Sequence, residues 1–500
     1  MLPLGPAGTT QTATEQSLAP GVQLTTIVAG KPSASDSWVL RSLQVTQAAA
    51  EELAARIRAQ GYPATVQRID DRAADDPERG PLGWLVVSEG FATEADAVQA
   101  RTRLTAAGVT GLGVSNTALY KKDATGPWVV RVLEVDRKHL RQVHATLATD
   151  IIPGRETTSS VAARTGSVAA VNGGYFVVGT ADGVPGDLAG IGVQDGVYDS
   201  EAVADRAALI VDANRSDVAV VNTRQRLRSS DGVTRLLNGV DRAVGRIRSC
   251  GAPGDVPTER PLHDVTCTNP DEIVVFDRSF GPTAEEGPGV AVTLDRFRRV
   301  VEVRSSRGGA IPVDGLVLEG IGAGADWLRA HATVGERITI STDLRADNRP
   351  LPVRKTTGIV NGGPFLVRDG QVLVDAYAEG FVHPGDPGFY FAFAVSRNPR
   401  TMAGLQDDGD LLLVTVDGRQ PGYSIGMSFD EQARVMQALG AHDALNLDGG
   451  GSTAMAVGGA LVGRPSDTTG ERPVGDVLTV LPSRRHGASA GPAPGPDPRR

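Results

Sequence analysis

The chain is 500 residues long and 40% hydrophobic, with 59 acidic and 50 basic residues and a net charge of −9. That length exceeds one ordinary core, so two or more domains are expected. The acidic balance, without a Lys/Arg-rich block, argues against nucleic acid or an anionic membrane as the main partner. No apolar run approaches the ~18–20 residues of a membrane span.

In chain order, residues 1–35 are rich in Thr, Ser, Ala and Gly and read as an unstructured lead. "MLPLGPAGTT" is too short and too uncharged for a secretory leader. The chain is therefore expected to be either cytosolic or a secreted protein whose leader has been removed. Residues 36–120 alternate strand and helix patterns. "SWVLRSLQV" reads as a strand, and "TQAAAEELAARIRAQG" as a helix capped by Thr46 and stopped by Gly61. "YPATVQRID" and "GWLVVSEGF" are strands, "TEADAVQARTRLTAAG" is a helix with a Thr93/Asp96 capping box, and "GLGVSNTAL" closes the unit. The β-α-β-β-α-β order is that of a ferredoxin-like split βαβ unit. The pattern of a strand into "A-x-x-L-A-x-x-I-x-A-x-G-Y-P" resembles the SPOR domain. The resemblance implies binding of septal peptidoglycan glycan; a structural or substrate-orienting add-on is the other reading.

From 127 to about 482 the pattern changes to short strands and Gly/Asp turns, with few helices. The clearest helix is "SFDEQARVMQALGA" (428–441), where Ser428 caps and Glu431 follows three later. The fold class expected is α+β: the ferredoxin-like unit joined to a larger strand-rich domain. Cys250 and Cys267, the only cysteines, flank a Gly/Pro-rich loop within what reads as an insertion at about 235–300. A pair closing one such loop suits a disulfide, about 3 kcal/mol for a loop near 15 residues, and with it an oxidising compartment. A metal site would need more ligands than the neighbouring His263. Residues 484–500 read as a disordered tail.

Three segments share a style. "VNGGYF" (171–176) and "VNGGPF" (360–365) each end an apolar run in Asn-Gly-Gly: Asn172, Gly173 and Gly174, then Asn361, Gly362 and Gly363. "LNLDGGGSTAM" ends a third in Asp448, Gly449, Gly450, Gly451, Ser452 and Thr453. Tight turns are the plain explanation. A third glycine followed by two hydroxyls suits an anion-binding nest instead. "SRNPRTMAG" sets Arg397 and Arg400 around a proline turn, suited to phosphate or carboxylate. "LLLVTVDGR" ends a strand in Asp417-Gly418-Arg419. No P-loop or H-E-x-x-H is present.

Taken together, "NPRTMAG…LLLVTVDGR…LNLDGGGSTAMAV…RPSDTTGERPVGDVLTV", preceded by "AVNGGYF" and "VNGGPF", closely resembles the phosphodiester glycosidase domain of the lysosomal uncovering enzyme and its bacterial relatives. The resemblance covers about 127–482 and implies hydrolysis of a sugar-1-phosphodiester through an oxocarbenium-like state. On that reading Arg400 and the 449–453 amides and hydroxyls take the phosphate. Asp448 is the first choice of carboxylate at the anomeric carbon and Asp417 the second. Asn172 and Asn361, with their glycines, hold sugar hydroxyls or phosphate. No cofactor is required; acidic loops such as "TADGVPGDL" (180–188) leave room for a divalent cation. The expected protein is a secreted or wall-associated hydrolase acting on glycan. An ordinary exo-glycosidase on unphosphorylated glycan and a non-catalytic glycan-binding protein are the competing readings.

Overall fold

A computed structural model describes residues 1–213 and 216–483; the expected tail lies outside the described residues. The molecule is strand-rich α+β. Three antiparallel sheets share one core in the larger domain. The first runs, in spatial order, Gln11–Ala19, Val22–Ala29, Trp128–Val135, Leu411–Val416, Arg400–Gln406, Ala441–Asn446, Phe365–Arg368 and Gln371–Val372. The second is centred on Gly358–Asn361, Arg206–Val211 and Asp217–Arg228. The third places Ala169–Asn172 between Met455–Val457 and Asp476–Val480. Leu133, Val171, Leu209, Val360, Phe365, Leu445 and Leu478 interlock between them. The central strands are apolar on nearly every residue, as strands covered on both faces must be; Leu411–Val416 is buried throughout.

The expected unstructured lead is a correction. Residues 11–29 form a hairpin that adds two strands to the first sheet, pairing Val22–Ala29 with Trp128–Val135 in unbroken register. Its Thr and Ser content hid the alternation that buries Val22 and Leu24. Leu2 and Leu4, also buried, close the edge.

Residues 38–116 form a separate four-stranded antiparallel sheet, in spatial order Thr65–Ile69, Gly83–Phe91, Trp38–Gln44, Gly113–Asn116. Helices Gln47–Ala59 and Glu94–Ala106 cover one face. Thr46 caps the first by accepting from Ala49 N, and Thr93 and Asp96 form the capping box of the second. The other face is not open: Val39, Leu85 and Val87 pack on Tyr175, Phe381, Phe391 and Phe429 of the larger domain. Arg41 lies 4.9 Å from the Tyr120 ring and 5.0 Å from the Phe391 ring and donates to Ser396 Oγ at 3.1 Å.

The stretch expected as an insertion, about 235–300, lies within a longer excursion of the chain. Asp217–Arg228 and Thr339–Ala346 pair directly in the second sheet, and the chain between them makes an excursion. It builds a five-stranded sheet, the helix Gly322–His331 and a hairpin of Ile247–Cys250 with Leu262–Cys267. The Cys250–Cys267 disulfide is present, its Cα atoms 5.7 Å apart.

Candidate active site

The three glycine-rich motifs converge, because each ends a strand at the same end of the core. Tyr175 fastens them. Its hydroxyl donates to Gly363 O at 2.8 Å and accepts from Asn446 Nδ2 at 2.6 Å. The glycines make the approach possible. A β-carbon at Gly173 would lie 2.3 Å from Asp476 Oδ1, and one at Gly174 2.3 Å from Asn361 O. Real side chains do not tolerate such contacts, so backbone alone fits.

Asn172 and Asn361 are struts, which corrects their expected contact with substrate. Asn172 Oδ1 accepts from Thr401 Oγ1 at 2.6 Å and Ala454 N at 3.1 Å; its Nδ2 donates to Asp448 O at 2.8 Å and Gly173 O at 3.2 Å. Asn361 grips both backbone groups of Tyr175. Both asparagines are fully buried, and Asn172 has no hydrogen-bonding capacity left for a sugar. Gly362 packs on Leu445, and Gly363 abuts Glu379. Asp417 is likewise committed: it pairs with Arg131 at 2.9 Å and accepts from Tyr423 OH at 2.8 Å and Arg464 N at 3.2 Å. It is a buried anchor, not a second reacting carboxylate.

The glycine triplet is where the expected anion site gains substance. Two guanidinium groups and the stem of a third arginine crowd it. A β-carbon at Gly449 would stand 3.7 Å from Arg400 Cδ, one at Gly450 3.3 Å from Arg419 Nη1, and one at Gly451 2.2 Å from Arg472 Nη2. Arg400 is 2% exposed. It donates to the carbonyls of Met427 and Phe393 and lies over the Phe429 ring at 4.8 Å. Among the described residues no carboxylate pairs with it. Burial lowers its pKa to about 9, so it remains cationic at neutral pH. Arg419 reaches the triplet from a left-handed backbone position, φ 57°, and donates to Asn398 Oδ1 at 3.0 Å. Arg472 pairs with Asp467 at 2.8 Å. Arg397, the other arginine of the proline turn, is held by Glu431 at 2.7 Å. The Thr453 hydroxyl is sealed from solvent without a partner, and that of Ser452 lies beside the Asp448 carboxylate outside good hydrogen-bond geometry. An unpaired buried hydroxyl costs roughly 1–3 kcal/mol unless a ligand meets it.

Asp448 stands beside this cluster. It keeps some solvent access yet is closely surrounded by protein. Desolvation raises its pKa to about 6, opposed by the Ser452 hydroxyl, the Gly449 N–H and Arg472. Asp476, absent from the sequence-based site, is the second carboxylate. It is 1% exposed and accepts from Gly174 N at 2.9 Å. Burial raises its pKa to about 7, and the Asp448 charge adds to the rise. Its signal was the Gly475-Asp476 step that begins the last strand of the resemblance. Arg419 and Arg472 were also missed, the former in favour of its neighbour Asp417. Among the described residues, one trio of metal-type ligands lies close enough to share an ion, Asp369, His442 and Asp443. It sits at the opposite end of Ala441–Asn446 from Asp448. In the acidic loop 180–188, Asp182 bonds Arg248 and Thr266.

Comparison with known proteins gives this arrangement a class. Residues 289–481 match the phosphodiester glycosidase family and residues 42–113 match the SPOR domain. The chain therefore carries a phosphodiester glycosidase domain and a SPOR domain. More particularly, it is similar to a putative exported protein from Burkholderia pseudomallei of known crystal structure. The two are 35% identical with a TM-score of 0.87, over 96% of this chain and 98% of that one. A hypothetical protein from Synechocystis, 17% identical, TM-score 0.53, over 94% of this chain and 75% of that one, shares the fold. The mouse N-acetylglucosamine-1-phosphodiester alpha-N-acetylglucosaminidase is 28% identical over 131 residues, 26% of this chain and 25% of that protein. The matched stretch thus spans about a quarter of that curated relative's length.

Proposed function

We propose that the protein hydrolyses a sugar-1-phosphodiester of the N-acetylglucosamine-1-phosphate type within a glycan. The observation that carries this reading is the set of three arginines packed on the glycine triplet beside Asp448. Cleavage at the anomeric carbon leaves a phosphate monoester, which departs with little protonation but needs donors for its negative oxygens. Arg400, Arg419, Arg472, the Gly451 amide and the orphan Thr453 hydroxyl supply them. Asp448 is then the carboxylate at the anomeric carbon, as nucleophile or as base for water. Asp476 is a positioning residue. It holds the Gly173–Gly174 turn beside Asp448.

The same reading places the protein outside the cytoplasm, which the disulfide supports. No helix among the described residues is long and apolar enough to cross a membrane. The strand order of residues 38–116 supports the ferredoxin-like arrangement. With both faces of that sheet covered, its edge strands Thr65–Ile69 and Gly113–Asn116 and the outer helix surfaces remain for wall glycan. The function is tested by incubating the protein with UDP-N-acetylglucosamine and with neutral nitrophenyl glycosides. Sugar release from the phosphodiester alone is expected; cleavage of the neutral glycosides would make it an ordinary glycosidase.

A further inference from the structure

The disulfide-closed hairpin lies outside the matched family span, yet it reaches the site. It is held in place by backbone. His263 N donates to Gly380 O at 2.8 Å, and His383 Nε2 bonds His263 O at 2.7 Å. A β-carbon at Gly380 would meet Pro261 O at 2.6 Å, so the two segments are pressed together. Arg248 bridges the hairpin strands through Asp264 and ties the hairpin to Asp182, to which Thr266 also donates. The disulfide joins its strands across 17 residues.

What the hairpin delivers is His263, 4% exposed. Its ring centroid is 4.2 Å from that of Tyr175, 4.5 Å from Phe381 and 5.2 Å from Phe393. Tyr175 is the residue that fastens the three motifs, and Phe393 lies 5.5 Å from the Arg400 guanidinium. Nδ1 of His263 is sealed from solvent and has no hydrogen-bond partner. Buried polar atoms are rarely left so, because the cost is that of an unmade hydrogen bond. Burial, reinforced by Arg206 and Arg248, holds the imidazole pKa well below its ordinary value, so the ring is neutral. A neutral imidazole brings no positive charge to a phosphate. It can accept from, or donate to, a hydroxyl or amide.

We infer that His263 reads the sugar: its unpaired Nδ1, seated by the Cys250–Cys267 hairpin against Tyr175, hydrogen-bonds a hydroxyl or acetamido group of the substrate. This rests on the proposed phosphodiester reading for the identity of the sugar. The hairpin is then a specificity element added to the shared phosphate site.

The test is equilibrium binding by calorimetry of two separate probes, free N-acetylglucosamine and inorganic phosphate, to the wild-type protein and to His263→Phe. Phenylalanine keeps an aromatic ring and removes the nitrogen. Loss of about tenfold or more in N-acetylglucosamine affinity, with phosphate affinity and melting temperature unchanged, is the expected result. His263→Asn, which restores a polar atom, should recover part of the loss. The inference is overturned if wild-type protein binds phosphate but no N-acetylglucosamine. It is also overturned if His263→Phe binds the sugar as wild type does, or loses both probes together. A wild-type protein that binds both probes but hydrolyses no phosphodiester would refute the proposed activity and leave the sugar-reading role standing.

Discussion

At the residue scale, the proposed chemistry turns on a carboxylate held close to its point of ionisation. Asp448, at about pH 6, must lose its proton to act at carbon or to draw a proton from water. Turnover should therefore rise as pH passes about 6. Asp476, with its pKa at about 7, is still largely protonated while Asp448 ionises at about 6, so Asp476→Asn should leave the acid limb near pH 6; a limb moved to lower pH would show that Asp476 carries charge there. Because the groups are coupled, the profile reports apparent values of the pair. Arg400→Lys keeps the charge but loses the planar fork. It should lower turnover of a phosphodiester by about 10²-fold and weaken inhibition by inorganic phosphate. Inhibition unchanged in this variant would take Arg400 out of the phosphate site.

At the element scale, the decisive feature is the glycine triplet after Ala441–Asn446. It is not a generic turn. Gly451 packs where a methyl group would strike Arg472 and Asp467. Gly451→Ala should cost about 1–3 kcal/mol of stability, read as a lower melting temperature, and should displace an arginine the phosphate needs. The place of the triplet and Asp448 just past a strand end was legible in the sequence, because consecutive glycines do not continue a strand. The helix Phe429–Ala438, with its Ser428/Glu431 capping box, and the first helix with its Thr46 cap were legible for the same local reasons. Asn172, Asn361 and Asp417 misled. A polar residue at a strand end looks alike whether it faces a ligand or another strand, and only the fold shows that Arg131, 286 residues from Asp417, meets it. The first hairpin was missed because threonine-rich alternation resembles a linker. Its removal is informative: deleting residues 1–30 strips the strand Trp128–Val135 of its neighbour and exposes an edge. A lower melting temperature and self-association on gel filtration are expected, whereas an unchanged monomer would mean the hairpin contributes little.

At the scale of the whole molecule, the two domains are packed as one body around the site rather than strung on a linker. The sheet face carrying Val39, Leu85 and Val87 contributes to the same apolar cluster as Tyr175 and Phe381, so damage to residues 36–120 should also disturb the proposed site. The molecule also buries several carboxyls at raised pKa: Asp448 at about 6, Asp476, Asp199 and Glu319 at about 7, and Glu379 at about 8. Desolvation is the leading cause in each. The sign follows from linkage. These groups hold protons in the folded state that the unfolded chain releases near pH 4, so the folded state binds more protons between about pH 4 and 8. Their contribution to stability falls as pH rises through that window. Thermal melts should give a higher midpoint near pH 5.5 than near pH 8; the reverse order would show that other groups outweigh them.

The central claim, that Asp448 beside three arginines cleaves a sugar-1-phosphodiester, is tested most directly by the rate of free sugar release from UDP-N-acetylglucosamine by wild-type protein and by Asp448→Asn. The expected result is measurable release by the wild type and a loss of about 10²–10⁴-fold in the variant with its melting temperature retained. Equal rates in the two proteins would contradict the assignment of Asp448, and no release by the wild type would contradict the activity on this substrate.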